Sequence, residues 1–356
     1  GPNIGLFEEQ VVGHYDLVIT VDNGVTAVDE IEYLRQRDID VIIVDHHEFG
    51  ETLPDAIIIH AAHAEGDYPF KYLAGVGITY KLISALGLDD EEMLGLVAIG
   101  TVADLVSIID ENKRLVIDGL KQINSNPSTG IRTLLSVSGH SGLVDEETIG
   151  FGIAPRLNSS GRIADASIAV ELLLTSDKSE AFELASELEQ LNSERKLLVQ
   201  ETFEDADTKY KESEDVIIVY SDDYHPGVIG IVASRLNEAY GKPAIVLTLD
   251  GETYRGSARS IDGLDLLQII RDNDTFVRKV GGHSQAFGVE ISKEDIEDFS
   301  HSIEQYFKDQ DLSLKPVKYI DLMVEKDEYK IAEFERFENL KPFGQAFNRP
   351  IFMINQ

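Results

Sequence analysis

Hydrophobic positions near the start of the chain change period twice. Leu17 to Val21 forms a strand-length apolar run, which Asp22 ends and Asn23-Gly24 turns. Val28, Ile31 and Leu34 then recur at helical spacing with charges between them, and Val41-Ile42-Ile43-Val44 is a second strand-length run. Strand, helix and strand in that order predict a βαβ unit with parallel strands. Open sheets of this kind place ligand sites at the carboxyl ends of their strands, where the pattern puts Asp22 and Asp45-His46-His47. Three consecutive ionisable residues at a strand end have no packing purpose; they suit a cation or an anion.

The α/β pattern continues to residue 165, through the loop Leu73-Ala74-Gly75-Val76-Gly77 and an apolar helix over 93–105. Over 166–213, Leu172, Leu173, Leu184, Leu188, Leu191, Leu197 and Leu198 recur among charges, in two periodic segments joined near Ser176-Asp177. This stretch reads as a helical linker between lobes. A second α/β region, 214–313, runs through a strand at 216–220, a helix at 229–239, a strand at 244–249 and a Gly-rich segment at 280–287. Over 314–356, short alternating runs at 317–324 and 350–354 predict the opening of a small β domain. The expected fold class is α/β, with two α/β lobes, the first around a parallel sheet, joined by the long helical linker.

Composition narrows the function. With 356 residues and 43% hydrophobic content the chain can bury two or three cores. No apolar stretch is long enough for a membrane span and the N-terminus shows no secretory pattern, so a cytoplasmic location without membrane contact is expected. The absence of cysteine excludes a disulfide framework and a thiolate zinc site. The formal charge of −34 argues, taken alone, against nucleic acid, whose binders normally present a basic surface. The 31 Lys and Arg can nevertheless gather in one channel, because much of the acid lies at 180–189, 201–207 and 294–297, in stretches that read as solvated helix faces.

Asp104 lies in the apolar segment Gly100-Thr101-Val102-Ala103-Asp104-Leu105-Val106, where an uncompensated carboxylate is costly. Either it caps a helix or bonds Thr101, or it is a metal ligand together with Asp22 and His46. Two carboxylates and one imidazole suit Mn²⁺ or Mg²⁺ better than structural zinc, and the imidazole favours Mn²⁺. His47 could hold or protonate a phosphate oxygen, with Asp45 behind it to orient a ring. The isolated His14, His60, His63, His140 and His301 read as structural or exposed. In the second region, Gly281-Gly282-His283-Ser284 offers backbone N–H groups, an imidazole and a hydroxyl. Arg255-Gly256-Ser257-Ala258-Arg259-Ser260 adds guanidiniums and hydroxyls, and His225-Pro226-Gly227 introduces a helix N-terminus. Pro155-Arg156-Leu157-Asn158-Ser159-Ser160-Gly161-Arg162 repeats the recipe on what reads as a Gly-containing loop, and Lys71 could also neutralise a phosphate. Jointly these segments favour a polyanionic substrate.

Ile19-Thr20-Val21-Asp22-Asn23-Gly24, Asp45-His46-His47, Gly100-Thr101-Val102-Ala103-Asp104 and Gly281-Gly282-His283 resemble, in order and spacing, the motifs of the DHH phosphoesterase superfamily with its associated C-terminal domain. Leu73 to Gly77, Arg156 to Arg162 and His225-Pro226-Gly227-Val228-Ile229-Gly230-Ile231-Val232-Ala233-Ser234-Arg235 look like its RecJ-type exonucleases in particular. The resemblance implies a DHH lobe over 1–165, a DHH-associated lobe over 214–313 and the start of an OB-fold domain at 314–356, which includes Lys341-Pro342-Phe343-Gly344. It implies removal of nucleotides from the 5′ end of single-stranded DNA, in repair and recombination, with two Mn²⁺ or Mg²⁺ ions. Asp22 would bridge the metals, His46 and Asp104 would be ligands, and His47 would contact the scissile phosphate with Asp45 in support. Ser257, Arg259, Ser260, Gly282 and His283 would hold the DNA, with Arg156, Asn158, Arg162 and Arg235 adding to the substrate surface. Implied partners are single-stranded DNA and a single-strand-binding protein or helicase, with the chain acting as a monomer.

The family also has an earlier strand ending in Asp-X-Asp, and nothing before Asp22 matches it. Asp38-Ile39-Asp40 precedes the strand that carries Asp45 and so falls at the opposite end of the sheet. The expectation is a chain lacking both termini of the full protein, with an incomplete ligand set. Two other readings share these residues: a phosphodiesterase for short oligonucleotides or cyclic dinucleotides, and a non-catalytic single-strand DNA scaffold.

Overall fold

The computed structural model describes residues 1–211, 214–272, 275–309, 319–325 and 330–355. The chain divides into two compact units, one formed by Gly1–Pro155, Val170–Ser186 and Ile320–Gln356, the other by Arg156–Ala169 and Glu187–Tyr319. Residues 156–165, which the sequence groups with the first region, thus fall in the second unit. There Arg156 Nε donates to Glu189, and the Ser159 hydroxyl lies 3.4 Å from Leu188 O. No helix among the described residues is long and apolar enough to cross a membrane.

In the first unit, α1 (Ile4–Gln10) precedes the predicted βαβ unit, made of β1 (Leu17–Val21), α2 (Val28–Arg35) and β2 (Asp40–Val44), and β3 (Ile57–Ile59) follows. The three strands form a parallel sheet in the order β1-β2-β3. β2 is apolar at every central position because both its faces are covered. Val41 and Ile43 join Ile31, Leu34 and Phe7 on one side, while Ile42 and Val44 meet Leu73, Ile78 and Val97 on the other. Helices α3 (Gly75–Ala85), α4 (Glu91–Ala103), α5 (Asp110–Ser125) and α6 (Thr129–Val137) follow, then a π-helical turn at Thr148–Ile153.

The segment expected as a Gly-containing loop is instead the helix α7 (Ala154–Ile163). The linker resolves into α8 (Ser167–Leu174) and the 32-residue α9 (Lys178–Lys209). They break where the sequence places the joint, with Asp177 Oδ1 accepting from the backbone N–H groups of Ser179 and Glu180 at 2.8 and 2.9 Å.

The second unit is built on a five-stranded mixed sheet in the order β4-β5-β6-β8-β7. Its strands are β4 (Ile217–Ser221), β5 (Ala244–Asp250), β6 (Thr253–Arg259), β7 (Val277–His283) and β8 (Ala286–Ser292), and only β4–β5 is parallel. One face buries Leu247, Phe287 and Val289 against α11 (Leu266–Asp272) and α12 (Ile296–Asp309). The other buries Val219 and Val246 against α10 (Ile229–Tyr240) and α9. The Gly-rich segment at 280–287 comprises the end of the edge strand β7, the turn at 284–285 and the start of β8.

Of the alternating runs near the C-terminus, β9 (Leu322–Glu325) and β10 (Phe352–Asn355) form a parallel pair, with α13 (Ile331–Phe334) between them. Part of the first run, 317–318, lies outside the described residues.

Candidate metal centre and phosphate-binding face

Each strand of the parallel sheet delivers one polar residue immediately past its last position: Asp22 after β1, Asp45 after β2 and His60 after β3. Asp22 takes the left-handed conformation, φ 62°, which Asp tolerates better than most residues. A Cβ at Gly75, the first residue of α3, would lie 2.3 Å from Asp22 Oδ1. Only glycine lets the start of that helix come so close to the carboxylate, whose charge its dipole favours.

His46 Nε2 sits 3.1 Å from Asp22 Oδ1 and 3.4 Å from Asp104 Oδ2, yet the atom is buried without an aligned hydrogen bond. The adjacent Asp22 carboxylate raises the His46 pKa against the opposing effect of burial. Burial raises Asp104, and the Asp22 charge adds to this while His46 partly offsets it. Asp104 is the C-cap of α4, its N–H donating to Gly100 O at 2.9 Å, and Leu105 follows in the left-handed region. The bond to Thr101 considered from sequence is not made, since Thr101 Oγ1 is buried without a partner.

Asp45 is 1% exposed and accepts from Val25 N at 3.0 Å, His46 N at 2.8 Å, His47 N at 3.2 Å and His47 Nδ1 at 2.7 Å. Burial alone would raise its pKa, but these bonds outweigh it and hold the carboxyl below its usual range. Asp45 therefore braces the site, and it leaves His47 only Nε2 to offer. Ligand atoms of Asp22, His46 and His47 lie within 4.8 Å of one another, the one such group among the described residues.

Sequence reading missed the contribution of His60. Its Nδ1 accepts from Ala62 N at 3.0 Å, so Nε2 must carry the proton and donate to His47 O at 2.9 Å. Its place directly after the run Ile57-Ile58-Ile59 is the signal that could have found it. Lys71 Nζ lies 3.4 Å from Gly66 O.

Two carboxylate oxygens converging on one imidazole nitrogen suit a protonated ring or, with the ring neutral, a bound cation. The oxygen, oxygen and nitrogen donors match Mn²⁺ well and Mg²⁺ less well.

In the second unit, strand register brings several expected residues to one sheet face. Arg259 pairs with Ala286, which pairs with His283, while Ser257 pairs with Gly288 and that with Gly281. By alternation Arg255, Ser257, Arg259, Lys279 and His283 share a side with Glu290 and the glycine floor of Gly281 and Gly288, and Arg255 pairs with Asp250 at 2.9 Å. Arg259 is held in place, donating through Nε to Ser234 Oγ at 3.0 Å and through Nη1 to Ser257 Oγ at 3.0 Å and Ala258 O at 2.8 Å. The first turn of α10 meets this pair: a Cβ on Gly230 would lie 3.1 Å from Ser257 Oγ and 3.3 Å from Arg259 Nη2. No side chain caps that helix start.

From α7, Arg162 Nη1 donates to Gly227 O at 3.2 Å, and the exposed Asn158 lies one turn earlier on the same helix. Burial lowers the pKa of Arg259, with the like charge of Arg162 adding to it, and lowers Arg195, with Arg162 and Arg156 adding. Arg195 is a second residue that sequence reading missed, masked by its acidic helical surroundings. Its Nη2 donates to Asn192 Oδ1 at 2.9 Å, while its Nε is buried with no partner. Arg162 thus places like charge near both Arg259 and Arg195, an arrangement that suits an anion.

Four residues expected to touch substrate also make contacts within the fold. The side chain of Arg156 is 10% exposed and pairs with Glu189. Arg235 donates to Gln200 Oε1 at 2.7 Å and stacks 4.2 Å from the Phe203 ring centre. Ser260 is 6% exposed, and its hydroxyl donates to Leu264 O at 2.7 Å. Gly282, φ 137°, has no room for a Cβ, which would lie 2.7 Å from Phe287 Cα, so it serves the close pairing of β7 with β8.

The family model described as "DHH family, N-terminal domain" matches residues 4–101, and that described as "DHHA1 domain" matches 213–309. The single-stranded-DNA-specific exonuclease RecJ of Bacillus subtilis (strain 168) is 38% identical over 365 residues, covering 99% of this chain and 46% of that protein. The Haemophilus influenzae protein of the same name is 34% identical over 99% of this chain and 67% of its own length. The crystal structure of RecJ in complex with Mn²⁺ from Thermus thermophilus matches with a TM-score of 0.88 and 29% identity, over 99% of this chain and 54% of that one. A structure of exonuclease RecJ bound to manganese matches with a TM-score of 0.73 and 30% identity, over 88% of this chain and 82% of that one. The chain thus spans about half the length of the Bacillus subtilis relative. With both domain models matched in order and this identity extending over two thirds of a full-length relative, the chain belongs to the RecJ family of DHH proteins.

Proposed function

We propose that this chain carries out metal-dependent 5′-to-3′ exonucleolytic hydrolysis of single-stranded DNA, in DNA repair and recombination. The observation that carries the reading is the buried, unsatisfied His46 Nε2 between Asp22 and Asp104. The basic face of the second unit and the names of the RecJ relatives support the choice of substrate. The division into a DHH lobe (1–165), linker (166–213), DHH-associated lobe (214–313) and the start of an OB-fold domain (314–356) accompanies it, with the DHH and DHHA1 models on the first and third of these.

In this reading Asp22, His46 and Asp104 hold Mn²⁺ or Mg²⁺, the ions named with the solved RecJ structures. What the ions supply is activation of a water and neutralisation of charge developing at phosphorus. His47, its Nδ1 fixed by Asp45, presents Nε2 to a phosphate oxygen, which it can hold or protonate. Ser257, Arg259 and His283 hold the DNA backbone, with Arg162 and Asn158 extending the surface.

Single strands labelled at the 5′ or the 3′ end, incubated with Mn²⁺, test the proposal. Mononucleotides should appear first from the 5′ label, with duplex of the same sequence resistant; early release of the 3′ label would overturn the polarity. The reading also carries a cytoplasmic monomer that meets a single-strand-binding protein or helicase, which sedimentation of the chain alone and with such proteins would check.

A further inference from the structure

Leu105 and Phe151 are large apolar side chains left 76% and 83% exposed in the first unit. Leu105 directly follows Asp104 and takes φ 57°, a conformation that is strained for a residue with a Cβ. Phe151 belongs to the π-helical turn Thr148–Ile153, a rare element found frequently at functional sites. Together with Val102, Val106, Ile108 and Phe343 they line a cleft of about 310 Å³ that starts one residue from a candidate metal ligand. Its size is at the lower end for small-molecule sites, enough for one ring system.

The charges around this cleft select its occupant. Glu147 pairs with Arg349 at 3.1 Å, while Glu146 is 6% exposed and accepts from Phe343 N at 3.1 Å. The lining itself offers two carboxylates and one guanidinium, no excess of cations to hold a phosphate, whereas the apolar walls and the Phe151 ring suit a flat uncharged ring. A single strand with a phosphate at Asp104 carries such a ring on each neighbouring nucleotide. We propose that this cleft takes one nucleobase of the single strand, stacked on Phe151 beside Leu105, next to the bond that is cut. The assignment rests on the single-strand reading of the metal centre. It makes Phe151 a positioning residue: base stacking in the cleft sets which phosphodiester lies at Asp22, His46 and Asp104.

The test is equilibrium binding of short 5′-phosphorylated oligonucleotides without divalent metal. An abasic site is moved one nucleotide at a time from the 5′ end, and wild type is compared with Phe151→Ala, Phe151→Trp and Phe182→Ala. Phe182 is 60% exposed on α9 outside the cleft and serves as the control. One abasic position should weaken wild-type binding about tenfold, as loss of one stacked base does. Phe151→Ala should lose the same factor on intact DNA and nothing further on that abasic DNA, while Phe151→Trp and Phe182→Ala bind as wild type. 2-Aminopurine at the sensitive position should be quenched by wild type and not by Phe151→Ala.

Phe151→Ala binding both DNAs as wild type does, or weakening both equally, would overturn the cleft while leaving the single-strand reading intact. Failure of the wild-type chain to bind any single strand would overturn that reading, and the cleft with it.

Discussion

Asp22 shows how much depends on single residues at the candidate metal centre. Its left-handed backbone and the glycine opposite it aim one carboxylate oxygen at His46. Asp22→Asn keeps the conformation and removes the charge. Mn²⁺ affinity, measured by calorimetry, should fall by about two orders of magnitude, since losing even an outer partner of a metal ligand costs roughly 10–100-fold. Retained tight binding would remove Asp22 from the ligand set. Gly75→Ala should weaken Mn²⁺ binding as well, although Gly75 is no ligand, because the new methyl must displace the Asp22 carboxylate. It should also lower stability by about 1–3 kcal/mol, the usual cost of overpacking. The triplet Asp45-His46-His47 was legible in the sequence as an ionisable cluster at a strand end. The division of labour within it, with Asp45 sealed under four hydrogen bonds, was legible only as one of several options.

At the scale of elements, β2 is the rigid part that holds the triplet. Ile43 is fully buried in it, so Ile43→Ala should cost about 2–5 kcal/mol in urea unfolding. The π-helical turn is held differently. Asp145 accepts from Thr148 N at 2.9 Å and Thr148 Oγ1 at 2.8 Å, and pairs with Lys341 Nζ at 3.2 Å. Burial alone would raise its pKa, but the Thr148 and Lys341 contacts hold it below the usual carboxylate value. A carboxyl lowered on folding stabilises above its unfolded pKa of about 3.9, and that stability is lost as pH falls through the folded value. Wild type should therefore lose its advantage over Asp145→Asn below about pH 4, seen as converging urea midpoints; a constant difference down to about pH 2 would contradict the assignment. Strand and helix existence followed from hydrophobic period, which local sequence carries. Arg156 to Arg162 was misread as a loop because Gly161 and the paired serines weigh towards a turn. Ser159 and Ser160 are buried in α7, their hydroxyls donating to Arg156 O and Leu157 O one turn back, and Ser159 also lies against α9.

At the scale of the whole molecule, a chain of net charge −34 can bind a polyanion only by segregating its cations. Arg195 and Arg259, each within reach of the charge on Arg162, are a local gathering of that kind. Arg195→Gln should weaken single-strand binding and reduce the slope of log affinity against log salt by about 0.7, the value for one lost phosphate contact on a single strand. An unchanged slope would show that Arg195 faces no phosphate.

The sequence by itself determined the βαβ unit, the strand-end positions of Asp22 and Asp45-His46-His47, the helical joint near Asp177 and the family motifs, because these are set by local period and residue chemistry. Tertiary structure alone decided that Asp104 meets His46, that His60 bonds the His47 backbone, that Arg195 lies within reach of the charge on Arg162 and Arg156, and that Arg156, Arg235, Ser260 and Gly282 make contacts within the fold. Each of those outcomes turns on which side chains distant in sequence share a buried space. A residue's type and its immediate neighbours do not encode that.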